Sequence, residues 1–469
     1  MFVWELKGAD MSEKRTTVGT IDTEVLAFTA GRDVELDVVL AGVDCVGSAA
    51  HVTMLAAMPV APAVISAAER DRVVSALNEI RAKAVAGSFK IRLRDQDVHL
   101  AVERMLTEKL GDLGKKVHTG RSRNDQVAVD LRLFAKEQLL GTLEEVAALA
   151  EVLVKLGKRH AKVPMVGRTH MQPGMPSSVG LWATAHAESL LDDALGLLQV
   201  LELNDQCPLG SAASYGVPLP IDRSLTASLL GFSRATHNVL YANNGRGKLE
   251  GLVLAGMSQV MLTLSRLAQD LMLFTMPEFD YFRLPAAFCT GSSIMPQKQN
   301  PDVCELVRAK AVRVKAAETA VFELVRGAPT GYNRDLQEAK EPFMEGMATT
   351  RASLRVMAPM LAGMEVNVEK LVAGFSPDVF ATDRALELVA EGVPFRDAYH
   401  AVKGDLGALA AVDPREAIRL KEHMGAPFGL DWALYAGRIK EVRQAARKRK
   451  RAYERALSAL MNAPYVVGG

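Results

Sequence analysis

The residues best suited to chemistry fall in five short stretches. Gly291 to Asp302 reads GSSIMPQKQNPD. Its opening Gly291-Ser292-Ser293 suits a mobile loop. Its close, Asn300-Pro301-Asp302, suits a helix start, with Asn as N-cap, Pro in the first helical position and an acid in the first turn. The Ser292 hydroxyl, the Lys298 ammonium and the Asn300 amide beside that helix N-terminus form an anion-handling set. His118 to Asp130, HTGRSRNDQVAVD, joins a tight turn at Gly120 to a capping box of Ser122 and Asp125. Exposed N–H groups there, beside Arg121 and Arg123, suit carboxylates. Gly167 to Pro173, GRTHMQP, carries His170, whose imidazole suits proton transfer near neutral pH. Thr330 to Lys340 sets Gln337 and Lys340 three apart on one helix face, toward the Tyr332 end. Asp95-Gln96-Asp97-Val98-His99 leads into another helix, with Asp97 as a cap and His99 as a packed ring on the structural reading.

These stretches need long helices to hold them. From Asn124, Val127, Leu131 and Phe134, then Leu139, Leu143, Val146, Ala150 and Leu153, keep the three-and-four spacing of a buried stripe, predicting one helix to about His160. Further long helices are predicted over about 178–203, from Gly247 to about Met276, from Pro301 to about Arg326 and from about Asp335 to Leu361. No strand alternation of any length and no phosphate loop is visible. The fold class is all-α: an elongated bundle of five long helices with smaller, mainly helical N- and C-terminal domains. The domains are expected at 1–117, 118–365 and 366–469, the last with shorter helices broken by Gly374, Pro377, Gly392 and Pro414.

The chain has 469 residues, 49% hydrophobic and 24% charged, with a formal net charge of +1. That balance gives no reason to expect nucleic acid or a membrane surface as partner. Cys45, Cys207, Cys289 and Cys304 lie far apart without metal spacing, as reduced thiols of a cytoplasmic protein do. The charged first thirty residues do not read as a signal peptide. The uncharged run from Cys45 to Ala68 reads as a buried helix ending near Pro59 rather than a membrane span. The basic run Arg447 to Arg451 reads as a solvated helix face.

GSSIMPQKQNPD resembles the signature loop of the fumarate-releasing lyases, and Gln297 before Lys298 is the argininosuccinate lyase form. HTGRSRNDQ resembles a second signature of that family, and Thr-His-x-Gln-Pro its histidine segment. The likeness covers most of the chain and is strongest from His118 to Pro342. Gly31, Gln96, Arg168, Gln299 and the glycines Gly245 and Gly247 flanking Arg246 depart from the family pattern.

The resemblance implies cleavage of argininosuccinate to arginine and fumarate with no metal or organic cofactor. It implies Ser292 as base, with Lys298 and Asn300 at the carboxylate, and His170 with Thr169 assisting the leaving guanidine. The two proton-transfer roles are open to exchange. It also implies Asp97, Ser122, Arg123, Asn124, Tyr332, Gln337 and Lys340 as substrate-binding, and a homotetramer. Helix length bears on assembly too: the Arg123 motif starts the first long helix and His170 lies just past its end, with some 37 residues, roughly 55 Å, between the helix ends. If both serve one site, that site is shared between antiparallel subunits. Another fumarate-releasing lyase and a crystallin-like structural protein are the alternatives.

Overall fold

The computed structural model describes residues 22–410 and 412–467, together with the short pairs Arg15–Thr16 and Gly19–Thr20. The charged stretch from Glu5 to Lys14, on which the absence of a signal peptide was read, lies outside the described residues.

Helices α1 (Ala41–Ala57), α2 (Ala67–Val85) and α3 (Val98–Leu110) build the N-terminal part. The long helices are α4 (Arg123–Arg159), α5 (Val179–Asn204), α6 (Lys248–Phe274), α7 (Asp302–Arg326) and α8 (Lys340–Ala362). All five agree with the expected spans to within a few residues. The bundle forms because each helix finds a partner for its apolar stripe: α4 packs on α5 and α8, and α6 on α5, α7 and α8. In α4, Leu131, Leu139, Leu143, Val146, Ala150 and Leu153 are buried, while Val127 and Phe134 pack at the rim.

Three details differ from the sequence reading. Asn300 is not the cap of α7; Pro301 occupies that position and Asp302 begins the helix, because Asn300 pairs with Thr290 as an isolated bridge instead. A β-hairpin also interrupts the helices, β1 (Pro164–Thr169) against β2 (Gln172–Ser178). Its Pro and Gly residues hide the usual alternation, and it is anchored by the buried Met165 and Val166. Finally, after several short helices comes α9 (Trp432–Met461), 30 residues long, which returns to pack on α4 and α5. Its basic run is an ion-paired face: Arg447 reaches Glu144 at 3.3 Å and Arg449 reaches Glu202 at 3.2 Å.

Two helical stretches, 33–57 and Lys248–Phe274, are long and apolar enough to cross a membrane, but 78% and 61% of their apolar windows are buried inside the fold. Core helices of a bundle have that composition for the same reason.

Polar contacts fix the helices in register. Arg351 of α8 donates to Glu145 from Nη2 at 2.8 Å and to Gln138 from Nη1 at 2.7 Å, both on α4. Gly141 makes the room, since a Cβ there would stand 2.4 Å from Arg351 Nη2. At the start of α6, Gly247 has φ 71°, and its Cβ would lie 2.1 Å from Val325 Cγ1 on α7. The left-handed backbone and the close approach both demand glycine. Gly247→Val is therefore expected to destabilise the fold by about 3 kcal/mol or more. The measurement is the denaturant midpoint, and an unchanged midpoint contradicts this account of the contact.

Candidate active site

At the N-terminal end of α4 a cleft of about 130 Å³ is lined by residues from five separate stretches of chain. Asp97, Arg123, Asn124, Tyr332, Gln337 and Lys340 all face it, joined by Asp33, Gln96, Arg246 and Arg334. The cap of α4 explains how the chain is held there. Ser122 Oγ accepts from Asn124 N at 3.3 Å, and Asp125 Oδ1 accepts from Ser122 N at 3.0 Å. The other Asp125 oxygen accepts from Gly210 N and Ala212 N at 3.0 and 2.9 Å, tying the cap to a distant turn. Ser122 thus acts here on the backbone of α4 and lies beside the cleft rather than lining it.

Charges in the cleft are matched in pairs. Arg123 Nε meets Asp97 at 2.8 Å, and its Nη1 donates to Gln96 Oε1 at 3.2 Å. Its Nη2 is buried without a partner among the described residues, a donor left over for an anion. Asp97 also caps α3 through Leu100 N at 3.0 Å, so its structural and cleft-facing readings hold together. Lys340, 2% exposed, sits between Asp37 at 2.6 Å and Asp33 at 2.9 Å. Burial works against its charge, but the two carboxylates outweigh it and raise its pKa. Burial likewise pushes the Asp33 carboxyl up to about 6, against the pull of Lys340. Gln337 reaches the Thr29 carbonyl at 3.0 Å from a short 3₁₀ turn before α8 rather than from the helix itself. Gly31, at φ 53°, lies beside it, and a Cβ there would stand 3.5 Å from Gln337 Nε2.

Behind the cleft, His99 is a packed ring, as its position suggested. Its Nδ1 lies 2.6 Å from Asp44 and 3.7 Å from Asp130, all three side chains nearly inaccessible. Burial opposes charge on the imidazole, but the hydrogen bond and charge of Asp44 prevail and raise its pKa. Asp44, His99 and Asp130 also have the spacing of metal ligands. An imidazole hydrogen-bonded to Asp44, beside an Asp130 carboxyl that burial and the charge of Asp44 push well up, accounts for the same arrangement.

The remaining residues lie at the other end of the bundle. Thr169 and His170 are exposed at the tip of the β1–β2 hairpin, which follows the C-terminal end of α4. The Ser292 loop precedes α7 on the same end, where Arg308 touches Met272 near the end of α6. Ser292 Oγ accepts from Ile294 N at 3.3 Å and Met295 N at 3.1 Å. Lys298 is exposed, and Asn300 holds the base of the loop against Thr290. The α4 rod spans 37 residues, roughly 55 Å. One chain therefore assembles the cleft but does not bring it to His170 or Ser292.

The family model described as Lyase matches residues 27–316. A relative from Sorangium cellulosum (strain So ce56), named argininosuccinate lyase, is 44% identical over 412 residues, 88% of this chain and 95% of that protein. One from Thermotoga neapolitana, with the same name, is 40% identical over 398 residues, 85% and 99% of the two chains. The chain belongs to the argininosuccinate lyase family. Solved structures share its fold: an EDDS lyase in complex with formate has a TM-score of 0.76 at 23% identity, covering 93% of this chain and 95% of that one. A class II fumarase from Schistosoma mansoni has a TM-score of 0.68 at 17% identity, covering 86% and 98%.

Sequence reasoning missed Asp33, Gln96 and Arg334 as cleft residues, and gave Arg246 no role. Arg246 is buried, paired with Glu250 at 3.1 Å and bonded to the Leu336 carbonyl at 3.3 Å. The signal was present in Asp33, which lies four residues before Asp37 on a helical stretch, so both reach one lysine.

The Asp33 pKa gives a signed expectation. The folded carboxyl, at about 6, holds its proton more tightly than the ordinary value of 3.8. Asp33 therefore opposes folding increasingly as pH rises from about 4 to about 6, then constantly above that. Infrared titration of isotope-labelled aspartate should show a carboxyl with a midpoint near pH 6 that vanishes in Asp33→Asn. Lys340→Met should move the midpoint higher, since the opposing charge is gone; a downward move contradicts the assignment.

Proposed function

We propose that the chain catalyses anti β-elimination of argininosuccinate, releasing fumarate and L-arginine, a reaction of arginine biosynthesis in the cytoplasm. The observation that carries this reading is the convergence of Asp97, Arg123, Asn124, Tyr332, Gln337 and Lys340 on one charged cleft. It occurs in a chain 44% identical to a protein named argininosuccinate lyase.

The reaction removes a proton beside a carboxylate and expels a guanidinium nitrogen. That proton is weakly acidic, so catalysis rests on holding the doubly charged aci-carboxylate with cations and N–H donors. Ser292 is the base. A free hydroxyl is far too basic to ionise, but the Ile294 and Met295 N–H groups already point at Oγ and would stabilise an alkoxide. Lys298 and Asn300 take the carboxylate beside the reacting carbon. His170, with Thr169, assists protonation of the leaving guanidine. Ser292 and His170 retain the option of exchanging these roles. Arg123, through its unpartnered Nη2, and Asn124 bind carboxylate, while Asp97, Tyr332, Gln337 and Lys340 hold the rest. Ser122 contributes through the cap that fixes Arg123 and Asn124.

Because the cleft and His170 stand at opposite ends of α4, we infer that sites are shared between antiparallel subunits, and the family resemblance supports a homotetramer as the working form. Domains at 1–117, 118–365 and 366–469 belong to the same reading, with α9 folded back onto the bundle.

Ultraviolet absorbance of fumarate, followed with argininosuccinate, adenylosuccinate, aspartate and malate in turn, tests the substrate. Release from argininosuccinate alone is expected, and release from another substrate overturns the reading. Ser292→Ala should abolish turnover with fold and substrate binding intact; retention of more than a few per cent of activity removes Ser292 from the chemistry. Mixed Asn124→Ala and His170→Asn subunits, each inactive alone, should recover up to about a quarter of wild-type activity, the chance that a site draws both intact motifs. Hybrids verified by mass spectrometry yet wholly inactive would place the site within one chain.

A further inference from the structure

His170 sits in an uncommon backbone conformation. It and Met171 have φ 53° and φ 64°, a two-residue hairpin turn in which neither residue is glycine. Such a turn persists only where its surroundings hold it. Thr169 pairs with Gln172 across it, but below that pair the register shifts between Gly167 and Arg168. Arg168 then faces Pro173, which has no N–H to give.

Arg168 supplies what the ladder lacks. Its Nη1 donates to the Met171 carbonyl at 3.2 Å. Its guanidinium carbon lies 4.9 Å from the centre of the Phe279 ring. Phe279 is itself fixed edge-on to Phe274 at 6.0 Å and to Tyr281 at 5.3 Å, and Phe274 packs on Trp182 and Phe282. Phe274, Tyr281 and Phe282 are buried. The guanidinium thus bridges a packed aromatic cluster and the carbonyl of the turn. Its Nε is buried without a hydrogen-bond partner among the described residues, so the ring and the Met171 carbonyl hold the guanidinium.

We propose that Arg168 is a positioning residue for proton transfer at His170: clamped on Phe279, it fixes the Met171 carbonyl and so the turn that aims the imidazole. An arginine suits this because a planar guanidinium stacks on a ring while donating in its own plane. Proton transfer is sensitive to small displacements, so loosening this turn acts on the chemical step. Binding groups in the cleft, at the far end of α4, are untouched. The inference rests on the reading of His170 as a participant in the chemistry.

The test uses the full-length enzyme and steady-state fumarate release from argininosuccinate, with His170→Asn as reference. Arg168→Ala should lower kcat by about 10- to 100-fold, with KM changed less than about threefold and the melting temperature held. Arg168→Lys, which keeps the cation but not the planar fork, should recover part of the loss. Phe279→Leu should lower kcat comparably, and the double variant should be no worse than Arg168→Ala, because both break one clamp. A kcat for Arg168→Ala within twofold of wild type, or losses that simply multiply in the double variant, overturns the clamp. If Arg168→Ala unfolds, Arg168→Lys and Phe279→Leu decide: full kcat in both overturns it as well. Full activity in His170→Asn would instead remove the underlying reading of His170, an outcome distinct from failure of the clamp.

Discussion

The length of α4 is the constraint on which the rest depends. A helix of 37 residues cannot bend its ends together, so whatever chemistry requires both ends must be assembled by packing more than one rod. Keeping the rod straight and in register takes specific contacts. Asp125 closes its first turn and ties it to Gly210 and Ala212, while the Arg351 clasp to Gln138 and Glu145 fixes it against α8. Tyr453 and Tyr465 donate to the half-buried Glu137, so the C-terminal region secures the same helix. Each contact sets where Arg123 and Asn124 stand relative to the cleft.

The cleft itself is expensive to build, because it collects charges where water is scarce. Lys340 is tolerable only between Asp33 and Asp37, and breaking such a buried pair typically costs about 3–5 kcal/mol. The consequence for function is preorganisation. Residues whose partners are already fixed lose little freedom when a substrate arrives. The same argument explains the layer behind them, where Asp44, His99 and Asp130 support α1, α3 and α4 rather than the ligand.

Much of this was legible in the sequence, for different reasons at different places. The five long helices follow from apolar spacing, and the Ser122–Asp125 capping box from four adjacent residues. Both are local signals, strong enough to survive tertiary context. The hairpin was not legible, because Pro and Gly replace the alternation that marks a strand and its stability comes from contacts with other parts of the chain. The α9 helix lay in a stretch where shorter helices were expected; its burial against α4 is a property of the fold. Asn300 looked like a cap because its local sequence is right for one, and the bridge to Thr290, ten residues earlier, took precedence. For the site, residue identities were readable as motifs, whereas Gln96, Arg334 and Arg246 gained meaning only when distant segments met.

The two ends of the bundle also differ in kind. Around the cleft, side chains are mostly buried or half-buried and the innermost charges are paired, as a surface of fixed geometry needs. Around Ser292 the loop is pinned at its base by the Thr290–Asn300 bridge, and its tip from Ser293 to Gln299 is exposed. A closed base with an exposed tip has few buried contacts to break when it changes shape, so local rearrangement there is inexpensive compared with any change in the cleft. Yet Ser292 itself lies at the pinned side of the loop, with its oxygen held by two backbone N–H groups. On the proposed reading of its residues, the loop separates two demands: a hydroxyl kept in a defined electrostatic setting, and an exposed cation at Lys298 that can follow developing charge. A rigid rod makes that separation workable, since movement at one end of α4 leaves the cleft residues at the other undisturbed.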